Sequence, residues 1–122
     1  MALSARFAQL ANDAKTRIRE VSPAEARELQ SHGALLIDVR ESEEFGKGHA
    51  AGALHLSKGV LEMKIEETAP DLAKPIVCYC GGGNRSALAA DNLQRMGYIN
   101  VSSMAGGFKA WKEQGLGVEG NG

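Results

Sequence analysis

The chain has 122 residues, 43% hydrophobic and 24% charged, with 14 Lys and Arg against 15 Asp and Glu for a formal net charge of −1. That composition excludes a disordered or fibrous polypeptide, and the length suits one domain with a packed core. Neither sign of charge gathers into a block, which excludes a nucleic-acid footprint, and no run approaches the roughly 18 apolar residues of a membrane span.

The N-terminus lacks the apolar centre of a secretory signal, so a soluble, cytoplasmic protein is expected. Leu3, Phe7, Leu10, Ala14 and Ile18 recur at steps of three and four, which predicts an amphipathic helix over residues 3–18. The same stretch holds Ser4, Arg6, Lys15, Arg17 and Arg19 with Asp13 as an acid, a pattern that also suits an organelle presequence; the helix is preferred. Its apolar stripe is expected to pack on its own domain, with pairing to a second chain as the alternative. A short extended piece follows at Ile18 to Val21. Ser22, Pro23 and Glu25 then take N-cap, first-turn and capping-box positions for a helix that ends near Gly33.

Residues 34–39 are apolar until Asp38, as in a strand buried on both faces. A short helix is predicted at Ser42 to Lys47, a brief strand at Ala53 to Leu56, and a helix over 58–68 with Val60, Met63 and Ile65 inward. Residues 75–79 form another compact strand. A helix over 85–96 carries Ala89, Leu93 and Met96 on one stripe and stops at Gly97. A strand at Val101 to Met104 and a helix from Gly107 to Gln114 complete the pattern, with a loose, Gly-rich tail after Gly115. Alternating strands and helices predict an α/β fold: one central parallel sheet with helices on both faces. The division expected is a helical extension at 1–17, a domain at 18–117 and a flexible tail at 118–122.

In such sheets ligands sit beyond the carboxyl ends of strands, which directs the search to the segment after Tyr79. Cys80-Gly81-Gly82-Gly83-Asn84-Arg85-Ser86 joins a buried strand to a helix. Three glycines let the backbone curl around an anion, and the helix start adds the positive end of its dipole. Both features favour a thiolate, so Cys80 is expected to be reactive rather than a small core residue. Arg85 would support a bound anion or lock the loop. Cys78, on the strand two residues earlier, is expected to point into the core. The two cysteines are too close to form a useful staple. His32, His49 and His55 show no ligand-type pairing with them, so no metal is expected.

The loop resembles the active-site loop of the rhodanese family, a cysteine, four residues, then arginine. Ile37-Asp38-Val39-Arg40 with Glu44-Phe45 and Gly48-His49-Ala50-Ala51-Gly52-Ala53 resembles the family's early signature. Gly106-Gly107-Phe108 with Trp111 resembles its closing one, and the whole match spans about residues 18–115. The resemblance implies a rhodanese-like domain and a thiosulfate sulfurtransferase. Cys80 would form a persulfide, and Gly81, Gly82, Gly83, Asn84, Arg85 and Ser86 would hold the donor or the persulfide charge. Asp38 and Arg40 would brace the site, against the plain alternative of a surface ion pair. The implied partners are a small anionic sulfur donor and a thiol or cyanide acceptor, with a protein thiol as one form of it; no cofactor is implied.

Lys58 is read as solvated more readily than as an anion guide, His49 and His55 as hydrogen-bonded structural groups, and Trp111 as core. Three other functions stand beside the enzyme: a persulfide carrier, a non-catalytic binding module, and a cysteine phosphatase or arsenate reductase. The last pair use five residues between cysteine and arginine. Here Cys80 and Arg85 enclose four, and Cys78 and Arg85 enclose six.

Overall fold

The structure, a computed structural model, describes residues 4–120. Leu3, placed in the first helical stripe, and residues 121–122 of the expected tail lie outside the described residues. Helix α1 (Ala5–Lys15) starts where the Ser4 hydroxyl accepts from the Phe7 N–H at 3.2 Å. Its buried face is Ala11 and Ala14, whereas Leu10 is 56% exposed. Of the described residues of the predicted stripe, Ala14 is buried and Phe7 and Ile18 are partly buried; Leu10 alone is turned out, and Ala11 takes the inward position beside it because close helix packing selects small side chains over large ones. Strand β1 (Arg19–Val21) and helix α2 (Pro23–Ser31) follow, and the Ser22–Glu25 capping box is present in both directions.

Next come β2 (Leu35–Asp38), α3 (Ser42–Lys47), β3 (His49–Ala50), β4 (Leu54–His55) and α4 (Lys58–Thr68). Helix α4 buries Leu61 and Ile65, a pair at i, i+4, while Met63 is 73% exposed and Val60 only half-buried. The inward placement of Val60 and Met63 was thus wrong, since Leu61 rather than either of them shares the face of Ile65. Strand β5 (Ile76–Tyr79), helix α5 (Asn84–Arg95), strand β6 (Val101–Met104), helix α6 (Gly107–Glu113) and strand β7 (Val118–Glu119) complete the chain.

The main sheet runs β1-β6-β5-β2-β4, all pairs parallel, so β5 is its middle strand. Strand periodicity sends Ile76, Cys78 and Cys80 toward a cluster with Leu61, Ile65, Ala89 and Leu93, from α4 and α5. Val77 and Tyr79 face the opposite cluster with Ala26, Phe108 and Trp111, from α2 and α6. Both faces are covered, as the continuous apolar runs require.

Helix α5 also receives α1, and just past the end of α1 the Arg17 guanidinium donates to both oxygens of Asp91 at 2.8 and 3.2 Å. The leading helix packs on its own domain. A second, small sheet pairs β3 with β7 antiparallel, His49 opposite Glu119 and Ala50 opposite Val118. Residues 118 and 119, expected in a loose tail, are therefore tied into a ladder. Gly117 assists by accepting from the Trp111 indole N–H at 2.7 Å and from the Ala51 N–H at 2.9 Å.

Candidate active site

Cys80 follows the middle strand directly, and it is only 1% exposed. Its Sγ receives the Gly83 N–H at 3.1 Å and the Ser86 N–H at 3.4 Å, with the Ser86 hydroxyl at 3.5 Å. Two backbone dipoles converging on one sulfur favour negative charge there, and the start of α5 adds its own field. Among the described residues these are the N–H groups that reach the sulfur; Gly81, Gly82 and Asn84 shape the loop without doing so.

The glycines are not equivalent. Gly83 alone of the three has a left-handed backbone, φ +109°, and a Cβ there would stand 3.3 Å from the Gly106 nitrogen. A Cβ on Gly82 would meet open space. The requirement read from three consecutive glycines thus falls mainly on one of them, and on Gly107 across the loop. Gly107 has φ +57°, and a Cβ on it would strike the Cys80 carbonyl oxygen and the Gly81 carbonyl. That close approach lets the Phe108 and Lys109 N–H groups donate to the carbonyls of Cys80 and Gly81 at 2.8 and 3.2 Å.

Arg85 is not a free cation. Its guanidinium grips Glu44 of α3 with both Nη atoms, at 2.9 and 3.1 Å. The Arg85 hydrogen bond holds the Glu44 carboxyl down to about 2, against partial burial that pushes the other way. The pair ties the first turn of α5, next to the loop, to α3. Glu44 was missed as a site residue, although it stands in the early signature; its partner lies 41 positions away in sequence, so spacing gave no signal.

Asp38 and Arg40 are not a surface pair. Asp38 is fully buried and Arg40 6% exposed, and Arg40 donates to Asp38 through Nε and Nη2 at 2.8 to 3.1 Å. Arg40 also donates to the Gly48 carbonyl at 2.7 Å and lies 4.4 Å from the centre of the Phe108 ring. It thereby supports the residue whose N–H holds Cys80. Tyr79, whose hydroxyl accepts from the Ala50 N–H, is pushed well up by burial.

Cys78 is wholly buried, and burial, aided by the Cys80 sulfur, pushes its thiol up to about 12. The imidazoles of His49 and His55 stack on Phe45, with ring centres at 3.7 and 4.7 Å, and each sits within hydrogen-bond distance of a backbone carbonyl. They are structural, as is the buried Trp111. Lys58 pairs with Glu62 at 3.2 Å and lines a recess of about 250 Å³ with Leu10, Arg17 and Asp91, apart from the loop. A larger cavity of about 420 Å³ is lined by Arg40, Glu44, Lys47, Phe108 and Lys112, among others. Cys80 is not in its wall, but Phe108 and Glu44 connect that wall to the loop. Among the described residues no cluster of three or more His, Cys, Asp or Glu side chains could hold a metal, and no helix is long and apolar enough to cross a membrane.

A family model described as a rhodanese-like domain matches residues 22–114. The thiosulfate sulfurtransferase GlpE of Ectopseudomonas mendocina is 37% identical over 97 residues, 80% of this chain and 87% of that protein. A polysulfide-sulfur transferase homodimer from Wolinella succinogenes superposes with a TM-score of 0.81 at 30% identity, over 95% of this chain and 88% of the other. A Rhodopseudomonas palustris protein of unknown function, described as a possible tyrosine phosphatase, superposes with a TM-score of 0.82 at 30% identity over 98% of both chains.

Proposed function

The chain belongs to the rhodanese-like family, and from that premise we propose that it is a thiosulfate sulfurtransferase carrying sulfane sulfur as a persulfide on Cys80. The observation that carries this reading is the pair of N–H groups, from Gly83 and Ser86, directed at Sγ beyond the middle strand. The Cys80 thiolate attacks the outer sulfur of thiosulfate, the S–S bond breaks with its electron pair, and sulfite leaves. Cys80 then bears a terminal, negatively charged sulfur. A thiolate or cyanide attacks that atom, and the Cys80 thiolate is regenerated as thiocyanate or an acceptor persulfide departs. Each attacking group is already an anion and no proton is transferred, so preorganised amides suffice and no general base is needed.

In this reading Gly81, Gly82 and Asn84 set the path of the loop, Gly83 and Ser86 hold the charge, and Arg85 fixes the loop through Glu44. Asp38 and Arg40 brace it through Phe108. Lys47 and Lys112, which have no carboxylate partner among the described residues, give the adjoining cavity a positive rim suited to an anionic donor. Residues 18–117 are taken as the catalytic domain and 1–17 as an extension, whose helix α1 packs on α5. Two free thiols fit a reducing cytoplasm.

A phosphatase reading is disfavoured by the loop itself: its N–H groups close on the sulfur, and its arginine is occupied by Glu44. Thiocyanate formation from thiosulfate and cyanide, measured beside hydrolysis of an aryl phosphate, separates the two. Thiocyanate without phosphate release is expected; the reverse would replace this reading with the phosphatase one.

A further inference from the structure

We propose that Ser103 is a positioning residue for the Cys80 sulfur, acting through Ser86; the inference rests on the sulfurtransferase reading. Ser103 lies on β6 and is fully buried, where a hydroxyl is costly unless it is hydrogen-bonded. Its Oγ stands 2.8 Å from the Ser86 Oγ, which in turn stands 3.5 Å from the Cys80 Sγ. The three atoms form a chain leading from the core to the sulfur. A negatively charged sulfur can only accept, so the Ser86 hydroxyl must donate to it. The Ser86 oxygen is then left as an acceptor, and Ser103 is the donor at the right distance. By donating its O–H to the Ser86 oxygen, Ser103 holds the Ser86 O–H toward the sulfur and strengthens that bond by polarisation. When Cys80 is a neutral thiol the chain can run the other way, with S–H donating to Ser86.

The test compares Ser103→Ala, Ser103→Thr, Ser86→Ala and the double variant Ser86→Ala/Ser103→Ala in the full chain. The readouts are the rate of persulfide formation from thiosulfate and the pH profile of iodoacetamide alkylation at Cys80. Arg85 and Glu44, the charged pair at the loop, are unchanged in all of them. Ser103→Ala is expected to slow persulfide formation roughly three- to tenfold, the scale of one hydrogen bond, and to move the alkylation profile to higher pH. Ser103→Thr is expected to keep both near parent values. In the Ser86→Ala background, removing the Ser103 hydroxyl is expected to change neither. An unchanged profile in folded Ser103→Ala, or a full additional loss in the double variant, would overturn the proposal. If Ser103→Ala does not fold, Ser103→Thr against its isostere Ser103→Val decides the same question. If the parent forms no persulfide at all, the sulfurtransferase reading falls, whereas equal persulfide rates in parent and Ser103→Ala remove only the role of Ser103.

Discussion

Gly107 and Cys80 are in such close apposition that a single Cβ on Gly107 would collide with the Cys80 carbonyl oxygen. The left-handed backbone at Gly107, φ +57°, adds a second reason for glycine. Gly107→Ala is therefore expected to push α6 away from the loop and to break the Phe108 and Lys109 hydrogen bonds to it. Persulfide formation should fall at least tenfold, with a stability loss of about 1–3 kcal/mol in urea unfolding. Gly82→Ala, whose Cβ meets open space, is expected to be far milder in both measurements.

The Arg85–Glu44 bridge makes a pH prediction. Glu44 titrates in the folded chain near 2, below the ordinary carboxyl value of 4.5, so its contribution is complete above about 4.5 and is lost as pH falls toward about 2. Glu44→Gln should lower stability at neutral pH, and the difference from the parent should vanish in strong acid. Both side chains are more than a third exposed, which limits the effect to about 1 kcal/mol or less. Persulfide formation should suffer more than stability, because the bridge fixes the loop. Unfolding curves at several pH values check the sign.

Asp38 and Arg40 form a buried pair, and removing one partner strands the other. Arg40→Ala is expected to cost about 3–5 kcal/mol, since Asp38 remains without its guanidinium. Arg40→Lys should recover little, because one ammonium cannot reproduce the paired contacts and the stacking on Phe108. The double variant Asp38→Asn/Arg40→Met is expected to be more stable than Arg40→Ala. Chemical denaturation of the three variants tests this order.

Cys78 should be silent. With its thiol pushed up to about 12 by burial, it remains protonated at about pH 8 and is no nucleophile. Iodoacetamide on the folded chain is expected to label Cys80 and leave Cys78 unmodified. Peptide mapping by mass spectrometry reads this directly, and Cys78→Ala should retain sulfur transfer.

The order of elements was legible in the sequence because each carried its own signal: apolar runs for the buried strands, the Ser22–Glu25 box for α2, Gly97 for the end of α5. The position of Cys80 was legible for the same reason, between a buried strand and a helix start. What was hidden were relationships across the chain. Glu44 and Ser103 acquire meaning only when α3 and β6 are brought to the loop, and neither has a local pattern that announces a partner. The strength of the Asp38–Arg40 pair was hidden too, since sequence does not say which ion pairs are buried. The errors at Leu10, Val60 and Met63 share one cause: hydrophobic identity was weighed above helical position, and the structure buries Ala11 and Leu61 instead. The β7 ladder was missed because glycines around Val118 mask a strand of two residues.

The most direct test of the central claim is the intact mass of the purified, reduced chain after exposure to thiosulfate, beside Cys80→Ser and Cys78→Ser. The account predicts one added sulfur on the parent and on Cys78→Ser, none on Cys80→Ser, and loss of that sulfur on addition of cyanide. A parent that gains no sulfur, or a Cys80→Ser variant that still does, would contradict it.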